Sequence, residues 1–135
     1  MLNTPYYYVD ETLLIQNLEI LKSVKDQSGC KILLAQNAFS MFSMYPLISQ
    51  YLDGSAASSL YEVKLGHEKF GGETHICSPA LSEREFDEIL QNCDQIIFNT
   101  PAKRKKYGQR ASKANKRCGL RSKPEFTTKN PEQGI

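Results

Sequence analysis

Five short strand-length runs recur along this chain at intervals of about twenty residues: "CKILLA", "GSAAS", "THICSP", "QIIFNT" and "RCGLR". Between them lie stretches whose apolar residues repeat at helical spacing. Strand and helix alternating at this spacing mean βαβ units, and therefore a parallel sheet in an α/β fold. "CKILLA" is almost wholly apolar, as expected for a strand covered on both faces, and is too short for a helix.

Helix signals flank each run. Asp10 is an N-cap for "ETLLIQNLEILKSVKDQ", which places Leu14, Leu18, Leu21 and Val24 on one face and stops at Gly29. A second helix is expected over 43–52, with Pro46 in its first turn. "SLYEVKLGHEKFG" is a third. "SEREFDEILQNC" is a fourth, opened by Ser82 with Glu85 three residues on as a capping box. "PAKRKKYGQRASKA" is a fifth, with Pro101 at its start. Ahead of all of them "PYYYVD" is a short β-rich run, and 123–135 is a polar, irregular tail.

An open doubly wound sheet and the front part of a (β/α)8 barrel look alike at this level. A complete barrel takes about 250 residues, and the chain has 135, so it can supply only part of one. In either arrangement functional groups gather at the carboxyl ends of the strands. Those ends read Gln36-Asn37, Ser58-Ser59 with Glu62 one turn on, Cys77-Ser78-Pro79, Asn99-Thr100, and Arg121. This is a hydrogen-bonding rim with one carboxylate and one guanidinium. No Gly-rich phosphate cradle and no Ser/His/Asp elbow accompanies it.

Composition narrows the class further. The chain is 40% hydrophobic and 24% charged, as in a soluble globular domain. No apolar run approaches the ~18 residues of a membrane span, and "MLNTPYYYVDE" is not a signal peptide, so a cytoplasmic location is expected. Cys30, Cys77, Cys93 and Cys118 are scattered, His67 and His75 complete no ligand set, and no metal site is expected. Residues 1–100 carry 6 Lys+Arg against 13 Asp+Glu, and residues 101–135 carry 11 against 2, for an overall net charge of +2. The basic stretch "KRKKYGQRASKANKR" has a single aromatic and no nucleic-acid-binding pattern. It reads as a solvated helix face rather than a nucleic-acid contact.

Particular residues carry a resemblance. The order "TP-x-Y-V", "KILLA", "F-x-M-x-S-x-x-P", "YLDG", "AS-x-LYE", "FGGE", "SPA", "IIFN" and "CGLR", from Thr4 to Arg121, resembles the carboxynorspermidine (carboxyspermidine) decarboxylases. These are a branch of the alanine racemase-like, fold III, pyridoxal-phosphate decarboxylases. The resemblance implies a partial (β/α)8 barrel, the N-terminal half of such a barrel over residues 1–122, preceded by one β-strand ("YYYVD") and a helix. It also implies a homodimer, a carboxylated polyamine substrate and pyridoxal 5'-phosphate as electron sink.

The family's "LLA-x-K" motif falls on "LLAQN", so the position of its Schiff-base lysine is Asn37. The carboxylate of "AS-x-LYE" falls on Glu62, and Arg121 matches the strand-end arginine of "CGLR". Lys123 stands where the family has Asn, before Pro124. The Gly-rich phosphate loop, the acidic partner of the pyridine nitrogen and the catalytic cysteine belong to later parts of the family's chain.

A Schiff base needs an amine able to lose its proton and attack an aldehyde. The Asn37 amide is neither basic nor nucleophilic. Lys31 sits at the other end of the same strand, roughly 20 Å away at ~3.3 Å per residue, and Lys64 is on a helix. The leading expectation is a truncated or degenerate, catalytically incompetent decarboxylase-like chain, in which Glu62 serves as a helix-start acid. The alternative is a non-catalytic scaffold that binds a polyamine or an anionic partner. A small open α/β domain of unrelated function is a third.

Overall fold

A computed structural model describes residues 4–122. The 123–135 tail, with Lys123 and Pro124, lies outside the described residues. The elements are α1 (Glu11–Ser28), β1 (Leu33–Ala35), a 3-10 turn Phe42–Met44 running into α2 (Tyr45–Ile48), β2 (Gly54–Ala57), α3 (Leu60–Leu65), a π-helical turn Gly66–Phe70, β3 (Glu73–Ile76), α4 (Phe86–Asn92), β4 (Gln95–Phe98), α5 (Pro101–Lys113) and β5 (Arg117–Leu120). All four strand pairings are parallel, and the spatial order is β1-β2-β3-β4-β5.

That order separates the two architectures left open by periodicity. A doubly wound sheet reverses direction at a switch point, whereas this sheet adds each strand beside the last, as a (β/α)8 barrel does. The buried side chains confirm the one-sided winding. Ser55, Ala57, Thr74, Ile76, Ile96 and Phe98 alternate along their strands and are all buried, so one face of the sheet lies under the helices. Ile76, Ile96 and Phe98 pack there with Phe86, Ile89 and Tyr107. Leu18, Tyr45, Ile48, Leu52 and Phe70 form a second cluster beside Ile32 and Leu34. The other face is concave and carries Leu33, Ala35, Ala56, His75, Gln95, Ile97, Arg117 and Gly119, none of them fully buried.

The bottoms of alternate strands are pinned by a repeated aspartate. Asp53, before β2, accepts the Ile32 N–H at 2.9 Å and donates its own N–H to the Ile32 carbonyl at 2.9 Å. Asp94, before β4, does the same to Thr74, at 2.8 Å for both bonds.

Several expectations are corrected. Tyr6–Asp10 forms no strand, because no strand of the described residues lies beside it to share a ladder. β1 is only Leu33–Ala35, and Ala35 is exposed; it is an edge strand with an uncovered concave side, not one buried on both faces. On α1 Leu18 is buried, but Leu21 and Val24 are 38% and 49% exposed. The contact line of that helix runs instead to Lys25, whose ammonium reaches the Tyr51 carbonyl at 2.9 Å. The 43–52 helix is reduced to the 3-10 turn and the four residues of α2. Ser82 opens a turn, with its hydroxyl accepting from Arg84 N–H at 3.2 Å, and α4 begins only at Phe86.

Candidate functional site

The polar residues at the strand ends divide by strand parity into two sets with different work. Gln36, Ser59, Ser78 and Thr100 continue the helix-facing rows. Ser59 Oγ caps α3 by accepting the Glu62 N–H at 3.3 Å, and Thr100 Oγ1 caps α5 by accepting the Lys103 N–H at 3.2 Å. Ser78 Oγ accepts from Ala80 N–H at 3.3 Å within its turn. Asn37, Ser58, Cys77, Asn99 and Arg121 continue the concave rows and form the upper rim of the open face. A one-residue step along a strand exchanges the faces.

Gln36 is the buried anchor of this rim, at 1% exposure. Its backbone N–H joins Ala56 O at 3.1 Å, and its side-chain amide donates to the Glu62 carbonyl at 2.8 Å. Its amide oxygen accepts from the Tyr45 hydroxyl at 3.3 Å. Burial, with the nearby Glu62 charge, pushes the Tyr45 phenol above its ordinary pKa, so it stays a proton donor to Gln36. Gly66 completes the packing. A Cβ there would lie 2.2 Å from Ser55 Oγ and 2.8 Å from Gln36 Nε2, so only glycine lets the π turn approach β1 and β2 this closely. The sequence marks Gln36 only as a strand-end polar residue beside Asn37, and it carries no signal for Gly66 beyond its place one turn after the "LYE" match.

Asn37 lies in the turn directly after β1, is exposed, and its side chain bonds to no described residue. The Asn37 side chain makes no hydrogen bond to the following turn among the described residues; that turn is closed by the Ala38 and Phe39 N–H groups on the Ala35 carbonyl. The Glu62 carboxylate accepts the Ser58 N–H at 2.7 Å. With Ser59 on the Glu62 N–H this is a reciprocal cap of the helix start, shifted by one residue from the usual capping box. Arg121 is exposed, and its backbone N–H extends the ladder to Phe98 O at 2.8 Å. Asn37 and Arg121 stand on β1 and β5, four strand spacings of about 4.8 Å apart along the curved sheet. No hydrogen bond joins them among the described residues.

Lysine amines lie elsewhere. Lys31 pairs with Glu73 at the opposite end of the concave face, and Lys64 pairs with Glu88 at 2.7 Å on the helical side. Among the described residues no three His, Cys, Asp or Glu side chains are grouped to hold a metal ion. No helix there is long and apolar enough to cross a membrane. The basic face of α5 is partly committed within the chain: Arg110 pairs with Glu83 and Asp87, and Lys106 pairs with Glu83.

The floor of the same face holds an ionic layer. Glu73 accepts from Lys31, from Arg117 at 2.6 Å, and faces His75 Nε2 at 2.7 Å. Lys31 lies two residues before Leu33, which shares a register with Gly54 and Glu73; Arg117 shares one with Gln95 and His75, two residues beyond Glu73. The layer therefore climbs one residue per strand, the stagger of an eight-stranded barrel of shear 8.

Comparison with known proteins agrees with this geometry. No protein-family model matches the chain. A carboxynorspermidine/carboxyspermidine decarboxylase of Herminiimonas arsenicoxydans is 47% identical over 124 residues, 92% of this chain and 33% of its own length. That of Campylobacter jejuni is 36% identical over 126 residues, 93% of this chain and 32% of its own. A carboxyaminopropylagmatine decarboxylase of Synechocystis is 30% identical over 126 residues, 93% of this chain and 33% of its own. The crystal structure of Campylobacter jejuni carboxynorspermidine decarboxylase complexed with norspermidine superposes with a TM-score of 0.88 at 35% identity, over 99% of this chain and 36% of that one. The chain thus spans about a third of the length of the relatives it matches. In sequence and in fold it is similar to the N-terminal part of these decarboxylases.

Proposed function

We propose that this chain is the N-terminal portion of a carboxynorspermidine/carboxyspermidine decarboxylase-like protein of polyamine biosynthesis, and that as it stands it does not catalyse decarboxylation. The observation that carries this reading is Asn37. It occupies the concave turn at the end of β1, where the family motif has lysine, and the described concave rim offers no amine in its place. The residues present do not fit a covalently held pyridoxal phosphate. Glu62, the second site position, is engaged by the Ser58 N–H, and Arg121 is exposed at the far edge with no side-chain partner among the described residues. Homodimer formation and a carboxylated polyamine as the family's substrate remain part of the same proposal.

The test is direct. Purified chain and its Asn37→Lys variant are mixed with pyridoxal phosphate, reduced with borohydride and mapped by mass spectrometry, while carbon dioxide release from carboxynorspermidine is followed in parallel. The expected result is no selective adduct and no release for the natural chain, and selective labelling of residue 37 in the variant. Stoichiometric labelling of one lysine in the natural chain, or carbon dioxide release by it, overturns the reading. Calorimetric titration with norspermidine separates the non-catalytic scaffold, for which saturable binding to the unmodified chain is required.

A further inference from the structure

Among the described residues the floor layer of the concave face holds three side chains from the odd strands and a single anion. Each interior layer of a (β/α)8 barrel takes four side chains, one from each alternate strand. Here the odd strands supply three: Lys31 from the approach to β1, Glu73 from β3 and Arg117 from β5. The fourth place belongs to the strand two beyond β5. Closing the barrel sets that place between Arg117 and Lys31, and across the layer from Glu73.

Both neighbours of that fourth place are basic side chains, a lysine and an arginine. Their one carboxylate among the described residues is already shared, with Oε1 on Lys31 and Oε2 on Arg117 and His75. Lys31 and Arg117 keep their balance now by standing in water, at 55% and 54% side-chain exposure. His75 and Gln95, the other polar side chains of this end of the face, add no anion. Covering the layer without a second carboxylate would leave a buried charge unpaired, which folded proteins avoid.

We propose that this concave face docks a three-stranded β/α segment, drawn from the two thirds of the relatives' length that this chain does not match, whose middle strand presents an Asp or Glu carboxylate to Lys31 and Arg117. The inference rests on the chain being a barrel segment and adds the chemistry of the surface that completes it.

The chain is co-expressed with the remaining two thirds of the Herminiimonas arsenicoxydans relative, and the affinity of the complex is measured over a range of salt. Lys31→Met/Arg117→Met is expected to weaken association at least tenfold and to flatten its salt dependence. Glu73→Gln, which leaves the two cations without their internal anion, is expected to hold or tighten it. If the cluster merely supported the fold, both changes would weaken association alike, and that result overturns the proposal. Unchanged affinity in the double variant overturns it as well, while leaving the barrel-segment reading standing. Absence of any complex with the natural chain overturns both. Circular dichroism checks each variant, and Lys31→Met alone, which leaves the Arg117–Glu73 pair intact, gives the same sign of effect should the double variant not fold.

Discussion

The Gln36 side-chain amide donates a 2.8 Å hydrogen bond to the carbonyl of Glu62, tying the end of β1 to the first turn of α3 inside the core. The same amide accepts from Tyr45. Replacing Gln36 with Leu would strand the Tyr45 hydroxyl in a buried place and remove one of the two donors on Glu62 O; the other is the Gly66 N–H. The expected cost is about 1–3 kcal/mol, read as a lower urea midpoint with an unchanged slope. An unchanged midpoint would show that the amide is not holding these elements.

Gly66 and Ser55 are expected to behave as a coupled pair. Gly66→Ala drives a methyl to 2.2 Å from Ser55 Oγ, an overpacking expected to cost about 1–3 kcal/mol. The Ser55 hydroxyl is buried without a partner, so Ser55→Ala alone costs little. Made together, the two changes should be less damaging than their sum, by about 0.5–2 kcal/mol in a double-mutant cycle. Strict additivity would place the Gly66 constraint elsewhere.

The fold was legible where one physical signal dominated. Short runs of strand length between helix signals marked all five strands, because strand and helix must alternate in a parallel sheet. α5 runs from Pro101 to Lys113, as proline at its start and Thr100 before it require. What could not be read were features decided by the neighbours of a segment. "PYYYVD" has β-forming residues but no ladder to join among the described residues, and "CKILLA" stands at the sheet edge, where only Leu33–Ala35 pair as a strand. The site was legible as a list of strand-end polar residues but not as two sets. Whether Gln36 or Asn37 enters the core depends on a single-residue register that composition does not record. The resemblance supplied the importance of position 37, and the geometry assigned the structural work to position 36.

Acid should unfold the chain partly through Glu73. Hydrogen bonds from Lys31, then Arg117, then His75 hold its carboxyl down from 4.5 to about 2. A carboxyl that is more acidic in the folded state contributes stability above its unfolded pKa and loses it as the unfolded chain takes up the proton first. The contribution is therefore complete above about pH 4.5 and disappears as pH falls towards 2. Glu73→Gln should lower stability at neutral pH and flatten the decline over that window, as followed by urea midpoints. A parallel decline in both proteins would assign acid sensitivity to other carboxyls.

The four thiols should react in order of exposure. Burial raises the Cys93 thiol to about 11, and its side chain is covered in the core. Cys118 is raised by burial as well, whereas Cys30 is exposed beside Ser28. Since the thiolate is the reactive form, a disulfide reagent at mildly alkaline pH should modify Cys30 first and Cys93 only on unfolding. Early modification of Cys93 would mean that the helix layer over β4 opens readily.

Asn37→Lys should cost almost no stability. The Asn37 side chain is exposed and bonds to no described residue. The local geometry is instead carried by Gln36, the Ala35 carbonyl and the Ser59–Glu62 cap. A substitution at such a position usually stays within about 0.5 kcal/mol, measured by thermal and urea unfolding. The lysine would stand on the same rim as Glu62, whose carboxylate stays bonded to Ser58 in either case. A large loss on introducing lysine would mean that the neighbouring residues have adjusted to asparagine. A neutral result means that the residue defining the family's chemistry can change while the frame around it stays in place, because that frame is built from the opposite face of the strand.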